Sequence, residues 1–217
     1  MHSPAPQPSH RLIPSRFPPI GLFDTVATTA DAEAVMELAG WTNDRLVRQR
    51  LARLPQEEWV FGRANSSIVM AAFLHAAPDG SRFNGSDLGA WYAAATLTTA
   101  VAEVGHHLRR ETLARGLETS TRVYRSYTAR LEGSYRDIRG SEPKLHASDS
   151  YAAGQAFGEA LRAAGEYGVL YDSVRHRGGS NICAYRPSMV LDVTQAEHLE
   201  VTVSVGDKRI EATRLGA

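Results

Sequence analysis

Three stretches of the 217-residue chain set charged and hydroxyl-bearing side chains in an apolar frame. The first is Arg11-Leu12-Ile13-Pro14-Ser15-Arg16-Phe17. The second runs from Arg82-Phe83-Asn84 through Tyr92 to Glu103, and the third is Tyr171-Asp172-Ser173-Val174-Arg175 followed by Gly178-Gly179-Ser180-Asn181. A guanidinium offers phosphate oxygens a rigid fork of donors, and the small residues around Arg82 let backbone N–H groups approach an anion closely. Surface arginines are also common, so residue type alone fits a solvated exterior equally well. Other chemistries lose their support here: no Gly-x-Gly-x-x-Gly follows a strand, and neither a Gly-Lys-Ser/Thr loop nor a Gly-x-Ser-x-Gly elbow is present. His106 and His107 are adjacent, and neighbours on a helix point about 100° apart, a poor grip for one metal. They read as solvent or core-edge histidines, and no metal is expected.

The elements that must position these residues follow from pattern and punctuation. Residues 1–10, rich in Pro and Ser, read as a flexible arm, with the fold beginning near Arg11. A helical insertion is expected over about 30–77. It comprises Asp31–Ala39 stopped by Gly40, a second helix capped at Asn43 or Asp44 and carrying Leu46, Val47, Leu51 and Leu54, and a third over Ser66–Ala77 capped by Ser66 or Ser67. The strand Ala90–Ala94 then leads into a long helix from near Thr98. Period-two spacing predicts a strand over Arg122–Tyr135, and Ser150–Ala164 reads as a helix ending at Gly165. Short strands are predicted at Val169–Val174, Ile182–Tyr185, Leu199–Val205 and Arg209–Thr213. This order gives an α+β fold, a single domain with a mixed or antiparallel sheet flanked by helices, and not the regular βαβ alternation of a dinucleotide-binding fold.

Composition narrows the function classes. With 24 Lys+Arg against 24 Asp+Glu the formal charge is zero, and no basic run offers phosphates a counterion-releasing stripe, which argues against direct nucleic-acid binding. The lone Cys183 excludes an internal disulfide and fits a reducing cytoplasm. The first residues lack the charge-then-apolar order of a secretory signal. The longest apolar stretch, Ile68–Ala77, is interrupted by His75 and is too short for the roughly 20 residues a bilayer span needs.

In the three quoted segments, from about Arg11 to about Pro187, the chain resembles the RES domain family, named for an Arg, a Glu and a Ser. The resemblance implies an ADP-ribosyltransferase-like fold and a bacterial toxin of a two-gene toxin–antitoxin system that splits the nicotinamide–ribose bond of NAD. The family's Gly-Gly-Arg-Trp-Asn stretch falls on Ser81-Arg82-Phe83-Asn84, with the following Tyr and Glu on Tyr92 and Glu103. Its upstream Arg falls on Arg11, with Arg16 a rival, and its Ser on Ser173, with Ser150 second. Departures are Phe83 in place of Trp, Ser81 in place of Gly, and a long extra segment between Arg16 and Arg82.

Under this resemblance Glu103, Arg82, Tyr92 and Ser173 are the catalytic set, and Arg11, Arg16, Asn84, Ser150 and Asn181 are the substrate-binding set. Glu103 would stabilise an oxocarbenium-like ribose, Arg11 and Arg82 would clamp the phosphates, and Tyr92 would stack on nicotinamide or its ribose. Expected partners are NAD, inorganic phosphate as one acceptor, a helix-turn-helix (Xre-like) antitoxin, and a second copy in a homodimer. Transfer of ADP-ribose to a protein, or non-catalytic binding of NAD or ADP-ribose, are the alternatives.

Overall fold

A computed structural model describes residues 1–17, 21, 23–32, 34, 49–148 and 150–216. Among these, nine strands form one mixed sheet: β1 (His2–Pro4), β2 (Ser9–Pro14), β3 (Trp91–Ala94), β4 (Thr119–Leu131), β5 (Ser134–Asp137), β6 (Gly168–Asp172), β7 (Ser180–Ala184), β8 (Val190–Ser204) and β9 (Ile210–Leu215). Their spatial order is β1-β5-β6-β7-β3-β2-β4-β8-β9. Only β5 and β6 run parallel; the other neighbours are antiparallel.

Side-chain alternation sorts the strands into two faces. Register pairs Tyr92 with Cys183, Ala94 with Asn181, and Asn181 with Tyr171, so these residues share one face. Trp91, Ala93, Ile182, Ala184 and Leu170 share the other. Helix α1 (Ser66–Leu74) covers the second face, burying Val69, Met70, Phe73 and Leu74 against Trp91, Tyr127 and Ile182. It is apolar nearly all round, as a helix enclosed in a core must be.

The first face carries two helices side by side. Helix α2 (Leu97–Ala114) packs Ala100 and Leu108 on Leu12, Ala94, Tyr124 and Val201. Helix α3 (Ala152–Ala163) packs Leu161 and Phe157 on Phe83, Val169, Tyr171 and Cys183. Thr96 begins α2 by accepting the Thr99 N–H at 3.2 Å, a side-chain cap. Two glycines let α3 lie directly on the Arg82–Phe83 turn: a Cβ on Gly154 would stand 2.3 Å from the Arg82 carbonyl, and one on Gly158 would stand 2.0 Å from that of Phe83.

The α+β reading holds, and several local expectations change. Residues 1–10 do not form a loose arm. β1 hydrogen-bonds the edge of the sheet through β5, and β2 starts at Ser9 in its interior, because pairing with β4 satisfies backbone groups that the sequence there cannot satisfy alone. The predicted Arg122–Tyr135 strand is two strands broken at Glu132-Gly133, and β4 and β5 pair with different neighbours. The helix expected over Ser66–Ala77 ends at Leu74. Ser66 and Ser67 do not cap it; the Asp24 carboxylate does, accepting the N–H groups of Asn65 and Ser67 at 3.0 and 2.9 Å. Of the first two predicted helices, residues 29–32 and 49–51 are helical. Residue 34 is helical too, residues 52–54, with Leu54, follow the second helix as a turn, and Gly40, Asn43, Asp44, Leu46 and Val47 lie outside the described residues.

Candidate active site

The cleft between α2 and α3 opens over β3, β7 and β6, and Glu103 enters it from α2. Its Oε1 accepts two hydrogen bonds, from Ser173 Oγ and from Asn181 Nδ2, each 2.7 Å long. Ser173 follows β6 and Asn181 lies on β7, both of them buried, so the hairpin joining β6 to β7 brings its two polar groups to one carboxylate oxygen. The direction of the Ser173 bond is fixed by its surroundings. Its Oγ already accepts the N–H groups of Arg175 at 3.2 Å and His176 at 3.0 Å, which uses both lone pairs and leaves the hydroxyl hydrogen for Glu103. Among the described residues none bonds Oε2, so that oxygen is available to a ligand.

The hairpin is fastened to the helix a second time. Thr99, one turn before Glu103 on α2, places its Oγ1 2.8 Å from His176 Nδ1. Gly179, with a buried backbone, packs on the same Thr99 side chain; a Cβ there would stand 2.6 Å from Oγ1. Replacing Ser173 by Ala removes one of the two donors that orient the carboxylate and leaves Asn181 alone. Whatever reaction depends on Glu103 is expected to slow by roughly tenfold, the order of a lost hydrogen bond to a charged group. Steady-state rates of the variant against wild type measure it.

A second knot lies at the floor of the cleft. The Tyr92 hydroxyl donates to Asn84 Oδ1 at 2.8 Å and accepts the Phe83 N–H at 2.9 Å. Asn84 in turn donates to the carbonyls of Gly85 and Leu88, so the buried Arg82–Phe83–Asn84 turn is closed from within. Burial pushes the Tyr92 hydroxyl well above the usual phenol range. This hydroxyl is committed to the turn, and only the ring is left for stacking. Phe83, in the place of the expected Trp, is fully buried and meets Tyr171 edge-on at 4.8 Å between centroids.

Arg82 donates from Nη1 to the carbonyls of Leu145 at 3.2 Å and Ala147 at 2.7 Å, and its guanidinium lies 4.8 Å over the Tyr151 ring. One of its nitrogens therefore braces the 145–147 segment. Tyr171 feels both Glu103 and Arg82. Burial raises its hydroxyl far above the phenol range, with the Glu103 charge adding to the rise and the Arg82 charge opposing it.

The remaining sequence candidates are placed apart. Arg11 leaves β2 on the α1 face, where β2 and β3 share a single register pair before parting. Its Nη1 bonds the Tyr92 carbonyl at 2.9 Å in place of a strand partner, and its guanidinium stacks 4.8 Å over Trp91. Burial lowers its pKa to about 10, and its Nε is buried without a partner. Arg16 is exposed beyond β2 and stacks on Phe17. Ser150 is exposed and accepts the Ala152 N–H at 3.4 Å at the start of α3; it is not one of the donors that hold the Glu103 carboxylate. The structure thus joins Glu103, Ser173 and Asn181 directly, and Tyr92, Asn84 and Arg82 through the turn. Sequence reasoning did not single out Thr99, His176 or Tyr171. The spacing of Thr99 four residues before Glu103 was a signal for the first; the other two depend on the hairpin register.

A cavity of about 650 Å³ lined by Met1, Asp137, Arg139, Gly140 and Ser141 contains none of these residues. Among the described residues no group of three or more His, Cys, Asp and Glu converges as a metal site, and no helix is long and apolar enough to cross a membrane.

The family model described as "RES domain" matches residues 49–204, well over half of the chain. The match takes in Arg82, Tyr92, Glu103, Ser173 and Asn181 and begins after Arg11 and Arg16, a later start than the expected one near Arg11. Among solved structures the chain is similar to "Crystal structure of the M.tuberculosis MbcT-MbcA toxin-antitoxin complex", at 19% identity and a TM-score of 0.41, over 59% of this chain and 74% of that one. No curated protein matches the chain.

Proposed function

Because the chain belongs to the RES domain family, we propose that it is the toxin of a toxin–antitoxin pair, and that it depletes NAD by breaking the nicotinamide–ribose bond. The observation that carries this reading is a carboxylate with one oxygen held by two donors, Ser173 and Asn181, and the other unclaimed among the described residues. In the proposed reaction the C1–N bond breaks heterolytically and neutral nicotinamide leaves with the electron pair. Positive charge spreads over C1 and the ring oxygen of the ribose, and the Glu103 carboxylate faces that charge. An acceptor then bonds C1 and releases a proton, giving ADP-ribose with water or ADP-ribose 1″-phosphate with inorganic phosphate. Ser173 and Asn181 hold the carboxylate, so that it need not reorganise as charge develops. The Tyr92 ring and the closed Arg82–Asn84 turn form the floor.

The family resemblance further implies an Xre-like helix-turn-helix antitoxin that blocks the cleft, and the lone Cys183 fits a cytoplasmic site of action. Proton NMR of the purified chain with NAD, in phosphate and in phosphate-free buffer, tests the activity. The expected result is release of nicotinamide, with the second product identifying the acceptor. NAD left intact in both buffers, with no antitoxin bound, would overturn the reading, and label appearing on a protein when labelled NAD is added to lysate would redirect it to ADP-ribose transfer.

A further inference from the structure

Of the two arginines expected to clamp phosphate, Arg11 lies on the α1 face of the sheet, and Arg82 gives one of its nitrogens, Nη1, to two carbonyls. A different set of cations surrounds the Glu103 cleft. On α2, His107 and Arg110 follow Glu103 at spacings of four and seven residues, which puts all three on one helix face. Arg175 comes from the hairpin opposite, and its own N–H is bonded to the Ser173 hydroxyl that donates to Glu103. The charges of Glu103, Arg110, Arg175 and Arg82 all act on the His107 imidazole, and those of Arg175, Arg110 and Arg109 act on His106.

These cations are short of counter-charge. Among the described residues no carboxylate forms an ion pair with Arg110 or Arg175, whereas ten other arginines of this neutral chain are paired. Among the described residues the only side-chain hydrogen bond of Arg175 is a 3.3 Å contact to the Ser148 carbonyl. His106 Nε2 is buried with no partner. Burial, followed by the charge of Arg175, drives the His106 pKa down to about 4, so the imidazole stays neutral and adds no charge of its own at neutral pH. Unpaired guanidinium groups converging on a cleft from two elements are the arrangement that recognises phosphate oxygens.

We propose that Arg110 and Arg175, with His107, form an anion subsite beside Glu103 that takes a phosphate group. This rests on the NAD reading only for the identity of the ligand. The phosphate belongs either to the diphosphate of the dinucleotide or to inorganic phosphate arriving as acceptor.

Calorimetric titration of the full chain with ADP-ribose and with inorganic phosphate tests the subsite without turnover. Arg110→Gln/Arg175→Gln is expected to weaken the bound anion by about ten- to hundredfold, the range for charged hydrogen bonds, while the thermal melt stays within a few degrees of wild type. Arg175→Lys, which keeps the charge and loses the fork, should fall between. Competition between phosphate and ADP-ribose assigns the subsite to the diphosphate. Phosphate binding to the ADP-ribose-bound protein assigns it to the acceptor. A wild type that binds phosphate here but not ADP-ribose keeps the subsite and refutes the dinucleotide reading. Unchanged affinity of the double variant for both probes overturns the subsite.

Discussion

Nicotinamide release from NAD is expected to fall about 10²–10³-fold when Glu103 is replaced by Ala, the usual cost of removing one preorganised electrostatic partner of a transition state. The argument is geometric. Glu103 is the carboxylate in the cleft whose orientation two donors fix, and its unclaimed Oε2 is the oxygen able to face a developing cation. Removing the side chain also orphans the Ser173 hydroxyl and the Asn181 amide, which then turn toward the vacated space. Glu103→Gln separates charge from shape. It keeps the volume and can still accept at Oε1, so a loss nearly as large as that of Ala assigns the effect to the negative charge. A rate within threefold of wild type for Glu103→Ala would remove Glu103 from the reaction. The corresponding loss in Ser173→Ala is smaller, because that residue only orients the group which meets the substrate.

Trp91→Ala should be the most damaging single truncation for folding, at about 3–5 kcal/mol for a fully buried aromatic. Trp91 is completely enclosed, lies on a central strand between β7 and β2, and belongs to the cluster with α1. Its loss also uncovers Arg11, whose guanidinium is buried against the indole with one nitrogen already unpartnered. For a chain of this size each kcal/mol moves Tm by roughly 2–4 °C, so thermal unfolding by circular dichroism should show a drop on the order of 6–20 °C. Trp91→Phe is the control. It refills most of the space, keeps a ring face for Arg11 and removes an indole N–H that has no hydrogen-bond partner. Its cost should be a fraction of that of Ala; equal costs would show that the volume at this position is not what matters.

The element types were legible wherever local chemistry specifies them. The helix expected from near Thr98 is α2, which begins one residue earlier at Leu97, and the alternation of Tyr92 with Trp91 marks a strand whose two faces both meet the core. Glu103, Ser173 and Asn181 were all named from the sequence, and the hydrogen bonds that join them span 70 and 78 residues. What the chain did not disclose locally was the company each residue keeps. The cap of α1 comes from Asp24, more than forty residues away. The N-terminal segment, short of large apolar groups, becomes β1 and the start of an interior strand because the sheet supplies the partners for its backbone.

The resemblance to the RES domain family marked the carboxylate, hydroxyl and amide that meet in the cleft; the sequence by itself determined the α+β class and the punctuation of most elements. These are matters of side-chain type, period and turn chemistry, and all of them act over a few residues. Only the tertiary structure decided the strand order and, with it, the face on which each polar residue emerges. Because side chains alternate along a strand, one residue of register separates a group in the cleft from a group in the opposite core. That is why Arg11 supports the sheet beneath Trp91, while Tyr92, the next residue of β3, closes the Arg82–Asn84 turn on the opposite face.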